Sequence, residues 1–214
     1  MEFLPPEIDA YALAHTSPEP ALLAALNRET WLKVLNPRML SGHLQGRLLS
    51  LFSKLIRPTR ILEIGTYTGY SALCLAEGLS ENGQLDTIEA NEELTLVSSA
   101  FFAKSAYAPK IVQHTGQAQE LIPQIEGEFD MVFIDADKEN YSRYYDLIID
   151  RVRSGGIIIA DNVLWSGKVV DTTGANDPET KALRAFNLKV QADQHRVENI
   201  LFPVRDGLMI VRKR

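Results

Sequence analysis

The sequence contains little cysteine, no long apolar run and no excess of basic residues. Among its 214 residues Cys74 is the only cysteine, which excludes an internal disulfide framework and indicates a reducing compartment. Cys74 lies in an apolar helical stretch, so we interpret it as a core residue rather than a nucleophile. A net charge of −6 argues against a nucleic-acid-binding surface. No window approaches the length of a membrane span.

The N-terminus and the histidines also lack functional signals. Met1-Glu-Phe-Leu-Pro-Pro6 has neither the basic nor the apolar region of a secretory signal, so we predict a soluble, cytoplasmic protein. The histidines share no metal-ligand spacing and receive no chemical role; they are His15, His43, His114 and His195. With 45% hydrophobic and 23% charged residues, the chain is predicted to form a single domain, residues 1–214.

The apolar pattern changes at Thr59. Residues 1–58 predict a helical extension, with helices from Pro20 to Lys33 and from Ser41 to Ile56. In residues 59–214, β-branched runs alternate with helix-length segments, which is typical of a doubly wound parallel sheet. The predicted strands are 60–64, 84–89, 110–114, 129–134 and 156–160, and the predicted helices are 69–79, 92–106, 117–124, 139–151 and 177–192. Two final runs, 195–202 and 208–212, predict a hairpin that adds an antiparallel strand.

Four of the apolar runs end in a carboxylate: Glu63, Glu89, Asp135 and Asp161. Ligands of parallel sheets bind beyond the carboxyl ends of the strands, so we expect these acids to converge on one crevice. Carboxylates crowded in a partly dry crevice repel one another unless a cation lies among them. The sequence therefore predicts a positively charged ligand, a metal ion, or both.

A glycine loop, Glu63-Ile-Gly65-Thr-Tyr67-Thr-Gly69, follows the first strand. Gly65 permits a sharp turn, and Gly69 permits close packing of the next helix. Tyr67 stands where a dinucleotide fingerprint has its middle glycine, which disfavours a pyrophosphate. Glu63 could accept a hydrogen bond from an ammonium group and Glu89 from ribose hydroxyls, a combination that fits S-adenosylmethionine. The alternative is that Gly65 and Gly69 are ordinary turn residues and that Glu89 is a solvated strand end.

Asp135, Asp161 and Asn162 follow adjacent predicted strands and form our predicted metal site. An all-oxygen ligand set without nearby His or Cys suits a hard divalent cation, Mg²⁺ first, with Mn²⁺ or Ca²⁺ as alternatives. The competing interpretation of Asp161 and Asn162 is a turn or a helix N-cap.

Three further residues flank this site. Lys138 begins the next helix and can reach back toward the metal, where a depressed pKa would let it act as a general base. A solvated lysine is the alternative. Tyr141 and Trp165 are predicted to line an aromatic-substrate pocket, although simple packing would also explain them.

Together the motifs resemble those of the cation-dependent O-methyltransferases, the family of catechol and caffeoyl-CoA O-methyltransferases and their bacterial relatives. The matching motifs are the 63–71 glycine loop, Gly116-Gln-Ala118-Gln119, the segment from Phe133 to Tyr141, and Asp161-Asn162-Val-Leu-Trp165. The resemblance runs from about Met39 to the C-terminus. It implies a Rossmann-like α/β sheet of seven strands with the last antiparallel, a homodimer, and metal-dependent methyl transfer from S-adenosylmethionine to a vicinal aromatic diol.

The resemblance also implies residue roles. The S-adenosylmethionine site would comprise Ser41, Glu63, Gly65, Tyr67, Ser71, Glu89, Ala118 and Asp135. Asp135, Asp161 and Asn162 would hold the metal, and Lys138 would be the base. The segment from Lys168 to Asp177 departs from the catechol enzymes, which leaves open a free catechol, a phenolic acid, a CoA ester or a flavonoid. The rival functions are a non-catalytic S-adenosylmethionine-binding protein and a nucleotide-dependent oxidoreductase, and the missing glycine disfavours the second.

Overall fold

In a computed structural model of the chain, residues 5–171 and 177–214 are described. Their α-helices are α1 (Pro6–Ala14), α2 (Ala21–Lys33), α3 (Gly42–Ile56), α4 (Tyr70–Ala76), α5 (Glu92–Phe102), α6 (Ala118–Leu121), α7 (Tyr141–Ile148) and α8 (Pro178–Ala192). Their strands are β1 (Arg60–Ile64), β2 (Gln84–Glu89), β3 (Ile111–Thr115), β4 (Phe129–Ile134), β5 (Val152–Asp161), β6 (Val197–Phe202) and β7 (Leu208–Lys213). In this part of the chain, no helix has the length and apolarity that a membrane crossing requires.

The strands form a seven-stranded sheet in the order β3-β2-β1-β4-β5-β7-β6. The pairs β1–β2, β2–β3 and β4–β5 are parallel. Strand β7 runs antiparallel to both of its neighbours, β5 and β6. This topology confirms the predicted seven-stranded α/β fold with an antiparallel last strand.

Backbone contacts cluster into two compact units. We call Glu7–Ala118 the N-terminal unit and Gln119–Arg214 the C-terminal unit; Pro6 clusters with the second. The division into a 1–58 extension and a 59–214 core, within one domain, stays a prediction.

The N-terminal unit is built around β1 and α4. Four of the five β1 residues and all seven α4 residues are buried, which explains why most residues of both elements are apolar. Helix α3 lies unusually close to α4: a Cβ atom on Gly46 would stand 2.6 Å from Tyr70 Cε1, and one on Gly78 would stand 2.1 Å from the Ser53 carbonyl carbon. This close packing fixes α4, and therefore the glycine loop that leads into it.

The C-terminal unit places two strand ends side by side. In the parallel β4–β5 pair, Ile134 is in register with Ala160, so the next residues, Asp135 and Asp161, leave the sheet together. Helices α7 and α8 pack nearby, where Phe186 meets the rings of Tyr141 and Tyr145 edge-on at centroid distances of 5.5 and 6.3 Å. These contacts hold the first turn of α7 beside the strand ends.

Candidate active site

The glycine loop of the N-terminal unit turns as the sequence predicts. Gly65 and Gly69 have φ values of 97° and 94°, which favour glycine. The Gly65 and Thr66 amides donate to the Ile88 carbonyl oxygen at 3.0 and 3.1 Å, tying the loop to the end of β2. A Cβ atom on Gly69 would lie 2.6 Å from Phe102 Cε1, so only glycine lets α5 pack against this loop.

Glu89 anchors the loop from the end of β2. Its two carboxylate oxygens accept hydrogen bonds from the Tyr67 amide at 2.7 Å and the Asn91 amide at 2.9 Å. Tyr67 itself has a left-handed φ of 51°, and its hydroxyl donates to the Asn36 carbonyl oxygen at 2.8 Å. A carboxylate offers about four acceptor positions, so Glu89 retains capacity for two ribose hydroxyls. The contact to Asn36 joins the loop to the segment that precedes α3.

Glu63, near the end of β1, is a buried acid with no solvent exposure. Thr87 donates to Glu63 Oε2 at 2.5 Å, and the Thr66 and Thr87 hydroxyls are also 2.5 Å apart. Burying a carboxylate is costly without hydrogen bonds or a cation. The environment therefore suits the predicted contact with a ligand ammonium group, which stays a prediction.

The other predicted cofactor residues of this unit lie at the starts of helices. Ser41 directly precedes α3, Ser71 lies in the first turn of α4, and Ala118 begins α6. All three are buried. First turns present unpaired backbone amides, which is compatible with ligand contacts through the backbone. Their roles in binding stay predictions.

In the C-terminal unit, the three predicted metal ligands stand at the adjacent ends of β4 and β5. Asp161 is almost completely buried, and its Oδ1 accepts from the Asn162 amide at 2.7 Å. Asn162 has a φ of 59°, a left-handed value that Asn tolerates better than most residues. Asp135 is partly exposed at the end of β4.

Lys138 lies against these acids and is itself buried. Its Nζ donates to Asp135 Oδ1 at 2.9 Å and to the Tyr141 hydroxyl at 2.6 Å. The Tyr141 hydroxyl in turn donates to the Asp161 carbonyl oxygen at 3.0 Å. Tyr141 has no solvent exposure, which favours a role in positioning Lys138 over the predicted role as a pocket wall.

Without a metal ion, the groups around Lys138 favour its ammonium form. Burial lowers the pKa of Lys138, but the Tyr141 oxygen and the carboxylates of Asp135 and Asp161 outweigh this effect and raise it overall. Burial raises the pKa of Tyr141, so the phenol keeps its proton at neutral pH. This direction for Lys138 is opposite to the one expected beside a metal ion, and its role as base stays a prediction.

The donor set fits a hard divalent cation. Among the described residues, no three His, Cys, Asp or Glu side chains could together hold a metal ion. A site here therefore depends on the Asn162 amide in addition to two carboxylates, a set of oxygen ligands that Mg²⁺ accepts. The Lys138 ammonium at 2.9 Å from Asp135 already shows that a positive charge is accommodated at this carboxylate.

Trp165 follows in the loop after β5. The Lys138 and Lys168 Nζ atoms lie 5.9 and 5.8 Å from the centroid of its ring system. Its indole Nε1 is buried and has no hydrogen-bond acceptor within the ranges that the structure describes. The predicted pocket wall thus lies beside the predicted base. Residues 172–176, within the divergent segment from Lys168 to Asp177, lie outside the described residues.

Two contributors to this region were not found from the sequence. Asp206 accepts from the Ser166 amide at 2.6 Å, and Asn187 of α8 donates to the Val163 carbonyl oxygen at 3.0 Å. Asp206-Gly207 lies between the two runs of the predicted hairpin, where the sequence indicates only a turn, and the structure has a turn there. An acid beside the turn glycine was the one available signal, and nothing in the sequence indicated its partner 40 residues earlier.

Comparison with known sequences identifies the family. The O-methyltransferase family profile matches residues 13–214. The chain is 34% identical over 208 residues to a probable caffeoyl-CoA O-methyltransferase 2 of Dictyostelium discoideum, covering 95% of this chain and 90% of that protein. It is also 34% identical over 177 residues to a catechol O-methyltransferase of Niastella koreensis, covering 81% and 79%.

Solved structures agree with the sequence comparison. An O-methyltransferase of Bacillus cereus in complex with SAH superposes with a TM-score of 0.90 at 29% identity, covering 97% of both chains. An O-methyltransferase of Streptomyces achromogenes in complex with SAM gives 0.87 at 29% identity, covering 97% of this chain and 96% of that chain. The chain belongs to the O-methyltransferase family that its motifs resemble, and it is an S-adenosylmethionine-dependent O-methyltransferase.

Proposed function

We propose that this protein transfers a methyl group from S-adenosylmethionine to one hydroxyl of a catechol-like aromatic substrate, with a divalent cation at Asp135, Asp161 and Asn162. The observation that carries the proposal is the buried cluster in which Lys138 contacts both Asp135 and Tyr141 beside the end of β5. Paired carboxylates with an adjacent amine suit binding and deprotonation of a diol.

The N-terminal unit would bind the methyl donor. Glu89 would accept from the ribose hydroxyls with the oxygen capacity that its two backbone contacts leave. Glu63 would accept a hydrogen bond from the amino group of S-adenosylmethionine. The loop from Gly65 to Gly69 would contact the same ligand through its backbone atoms. Ser41, Ser71 and Ala118 would line the same site.

The C-terminal unit would bind and activate the acceptor. Such a cation, when bound, supplies the positive charge that makes a catechol hydroxyl more acidic. Lys138 Nζ would take the proton, with Tyr141 holding the amine in place. Lys138 can do this only as the free amine, so its role requires Asp135 and Asp161 to share their charge with the cation.

The methyl step needs no covalent intermediate on the protein. The bond from the sulfonium sulfur to the methyl carbon breaks as the bond from that carbon to the acceptor oxygen forms, and S-adenosylhomocysteine leaves. The contribution of the protein is alignment of donor and acceptor. Trp165 would form the wall against which the acceptor ring packs. The active unit would be a homodimer, as the family resemblance implies, and its location would be the cytoplasm, as predicted from the N-terminal sequence.

A substrate panel tests this proposal. Methyl transfer from labelled S-adenosylmethionine should be measured with free catechols, catechol-bearing phenolic acids, a catechol CoA ester and a catechol flavonoid, each beside its monophenol counterpart. We expect transfer to at least one diol and none to the matched monophenols. Equal transfer to a monophenol and its diol would reject the catechol assignment, and no transfer to any of them would favour a non-catalytic binding protein.

A further inference from the structure

The loop that follows β5 carries two residues of the proposed acceptor site in an unfavourable backbone conformation. Asn162, Trp165 and Ser166 have φ values of 59°, 49° and 53°. Residues other than glycine adopt such values rarely, because the side chain approaches the carbonyl oxygen. A loop of this kind keeps its shape only where neighbouring groups hold it.

The turn between β6 and β7, residues 203–207, supplies those neighbours. Gly207 and Asp206 accept through their carbonyl oxygens from the Val163 and Leu164 amides at 3.1 and 2.9 Å. The Asp206 side chain accepts from the Ser166 amide at 2.6 Å. A Cβ atom on Gly207 would lie 2.5 Å from Leu164 Cγ, so the turn fits the loop without spare space.

Of these three hydrogen bonds, only the one from the Ser166 amide is accepted by a side chain. It acts at the second of two consecutive left-handed residues, directly after Trp165. At 2.6 Å from the Ser166 nitrogen, the Asp206 oxygen is at the short end of the hydrogen-bond range, so an acceptor oxygen at this position holds the amide. Asp206 is partly buried, and burial raises its pKa, although the Ser166 amide and the charge of Lys138 lower it.

We propose that Asp206 is a positioning residue that sets acceptor affinity: by holding Ser166 it fixes the indole of Trp165 beside Lys138. This inference rests on the proposed function, because it assigns the effect to acceptor binding. Asp206 acts through the loop and contacts neither substrate in this account. Losing it should weaken binding of the aromatic acceptor while leaving the S-adenosylmethionine site of the N-terminal unit intact.

The test uses Trp165 as its own probe. The sequence has two tryptophans, and Trp31 is 57% exposed, so a Trp31→Phe parent leaves Trp165 as the only tryptophan, whose fluorescence can be excited selectively over that of tyrosine. In that parent, Asp206→Ala removes the acceptor and Asp206→Asn keeps an oxygen in the same place. Glu81→Ala, which removes an exposed acid elsewhere, is the control. Acrylamide quenching of Trp165, the KM for a catechol, kcat, and calorimetric S-adenosylmethionine affinity are measured for each.

We expect Asp206→Ala to increase quenching and to raise the acceptor KM by about tenfold, with a smaller change in kcat and unchanged S-adenosylmethionine affinity. Asp206→Asn should lie much closer to the parent in quenching and KM. If Asp206→Ala does not fold, Asp206→Glu, which displaces the carboxylate by one methylene, replaces it with the same expectation.

Parent-like quenching and KM in the Ala variant would overturn the proposal. So would an Asn variant as impaired as the Ala variant, because charge rather than the hydrogen bond would then matter. Quenching requires no turnover. A parent that methylates no catechol would therefore reject the proposed function, while quenching would still decide whether Asp206 holds Trp165.

Discussion

At the scale of single residues, the site depends on acids whose oxygens are held by backbone amides. Glu89 shows this most clearly, because both of its oxygens are oriented by amides from Tyr67 and Asn91 before any ligand binds. A carboxylate oriented in advance loses less entropy on binding. The same contacts mean that Glu89 supports the shape of the glycine loop, in addition to its proposed contact with the ribose.

Glu89→Ala should therefore weaken S-adenosylmethionine binding. Hydrogen bonds to a charged group contribute about 1.5–3 kcal/mol, so the dissociation constant should rise by about tenfold or more. Isothermal titration of the variant measures this, with Glu92→Ala, an exposed acid of α5, as the control. An affinity equal to that of the parent would remove Glu89 from the site.

The proposed role of Lys138 as the catalytic base can be tested directly by kinetics. If it takes the acceptor proton, Lys138→Ala should lower kcat by about 10²–10⁴ at neutral pH, the usual contribution of a positioned base. Steady-state kinetics on one catechol measure this, beside S-adenosylmethionine titration to confirm an intact donor site. Lys181→Ala, at an exposed position of α8, is the matched control. A Lys138→Ala rate within a few-fold of the parent would contradict the assignment.

The residues that sequence could identify were those that follow strands. Asp135 and Asp161 are predicted as site residues because ligands of parallel sheets bind beyond the carboxyl ends of the strands, and that prediction stays untested. Asp206 was not predicted, because an acid before a turn glycine is ordinary turn chemistry. Its role depends on Ser166, a partner distant in sequence, which only the folded backbone brings to it.

At the scale of elements, prediction succeeded where burial dictates the pattern. Strands β1, β2 and β4 have the predicted bounds, since most residues of each strand are buried. Helix α1 was not predicted, and none of its residues is buried, so it leaves no apolar periodicity to detect. Helix α4 ends at Ala76, earlier than predicted, where the chain turns at Gly78 to fit against Ser53 of α3.

The packing of the glycine loop against α5 gives a prediction at this scale. Gly69→Ala should be destabilising by about 1–3 kcal/mol and should weaken S-adenosylmethionine binding, because the new methyl group would overlap Phe102. Gly127→Ala is a matched control, since Gly127 has the same φ of 94° and open space around it. Urea unfolding of both variants separates the effect of overlap with Phe102 from that of backbone strain, and calorimetric titration measures the loss of S-adenosylmethionine affinity. Equal losses in both variants would mean that backbone strain alone matters at Gly69.

The contact between α3 and α4 depends on an ion pair. Glu77 accepts from Arg47 at 2.6 and 3.0 Å and from Ser50 and Lys54 at 2.7 Å. Although burial opposes its charge, these partners lower the pKa of Glu77 from 4.5 to about 2. Because the folded pKa is the lower one, its stabilisation is complete above pH 4.5 and is lost as the pH falls toward 2.

Glu77→Gln should therefore reduce the free energy of unfolding at pH 7 by about 2–3 kcal/mol, and the difference from the parent should shrink as the pH falls from 4.5 toward 2. Urea unfolding at several pH values measures it. Glu92→Gln, at an exposed position of α5, is the matched control. A constant difference between Glu77→Gln and the parent at every pH would show that the charge of Glu77 is not what stabilises this contact.

At the scale of the whole molecule, the donor and acceptor functions are assigned largely to different parts of the chain. Most groups for S-adenosylmethionine belong to the N-terminal unit, and the cation, base and aromatic wall belong to the C-terminal unit. Topology and family could be predicted from sequence because strand periodicity and motifs specify them. The identity of the methyl acceptor could not be predicted from sequence, because the loops that shape its proposed site follow no periodic pattern.

The central claim, that a cation held by the C-terminal unit activates the acceptor, is tested most directly by the rate of methyl transfer to a catechol after removal of metal. The chelated protein, shown by elemental analysis to be metal-free, should bind S-adenosylmethionine with unchanged affinity but transfer no methyl group, and added Mg²⁺ should restore the rate. Asp161→Ala should remain inactive when Mg²⁺ is added. A full rate in the metal-free protein would contradict the account.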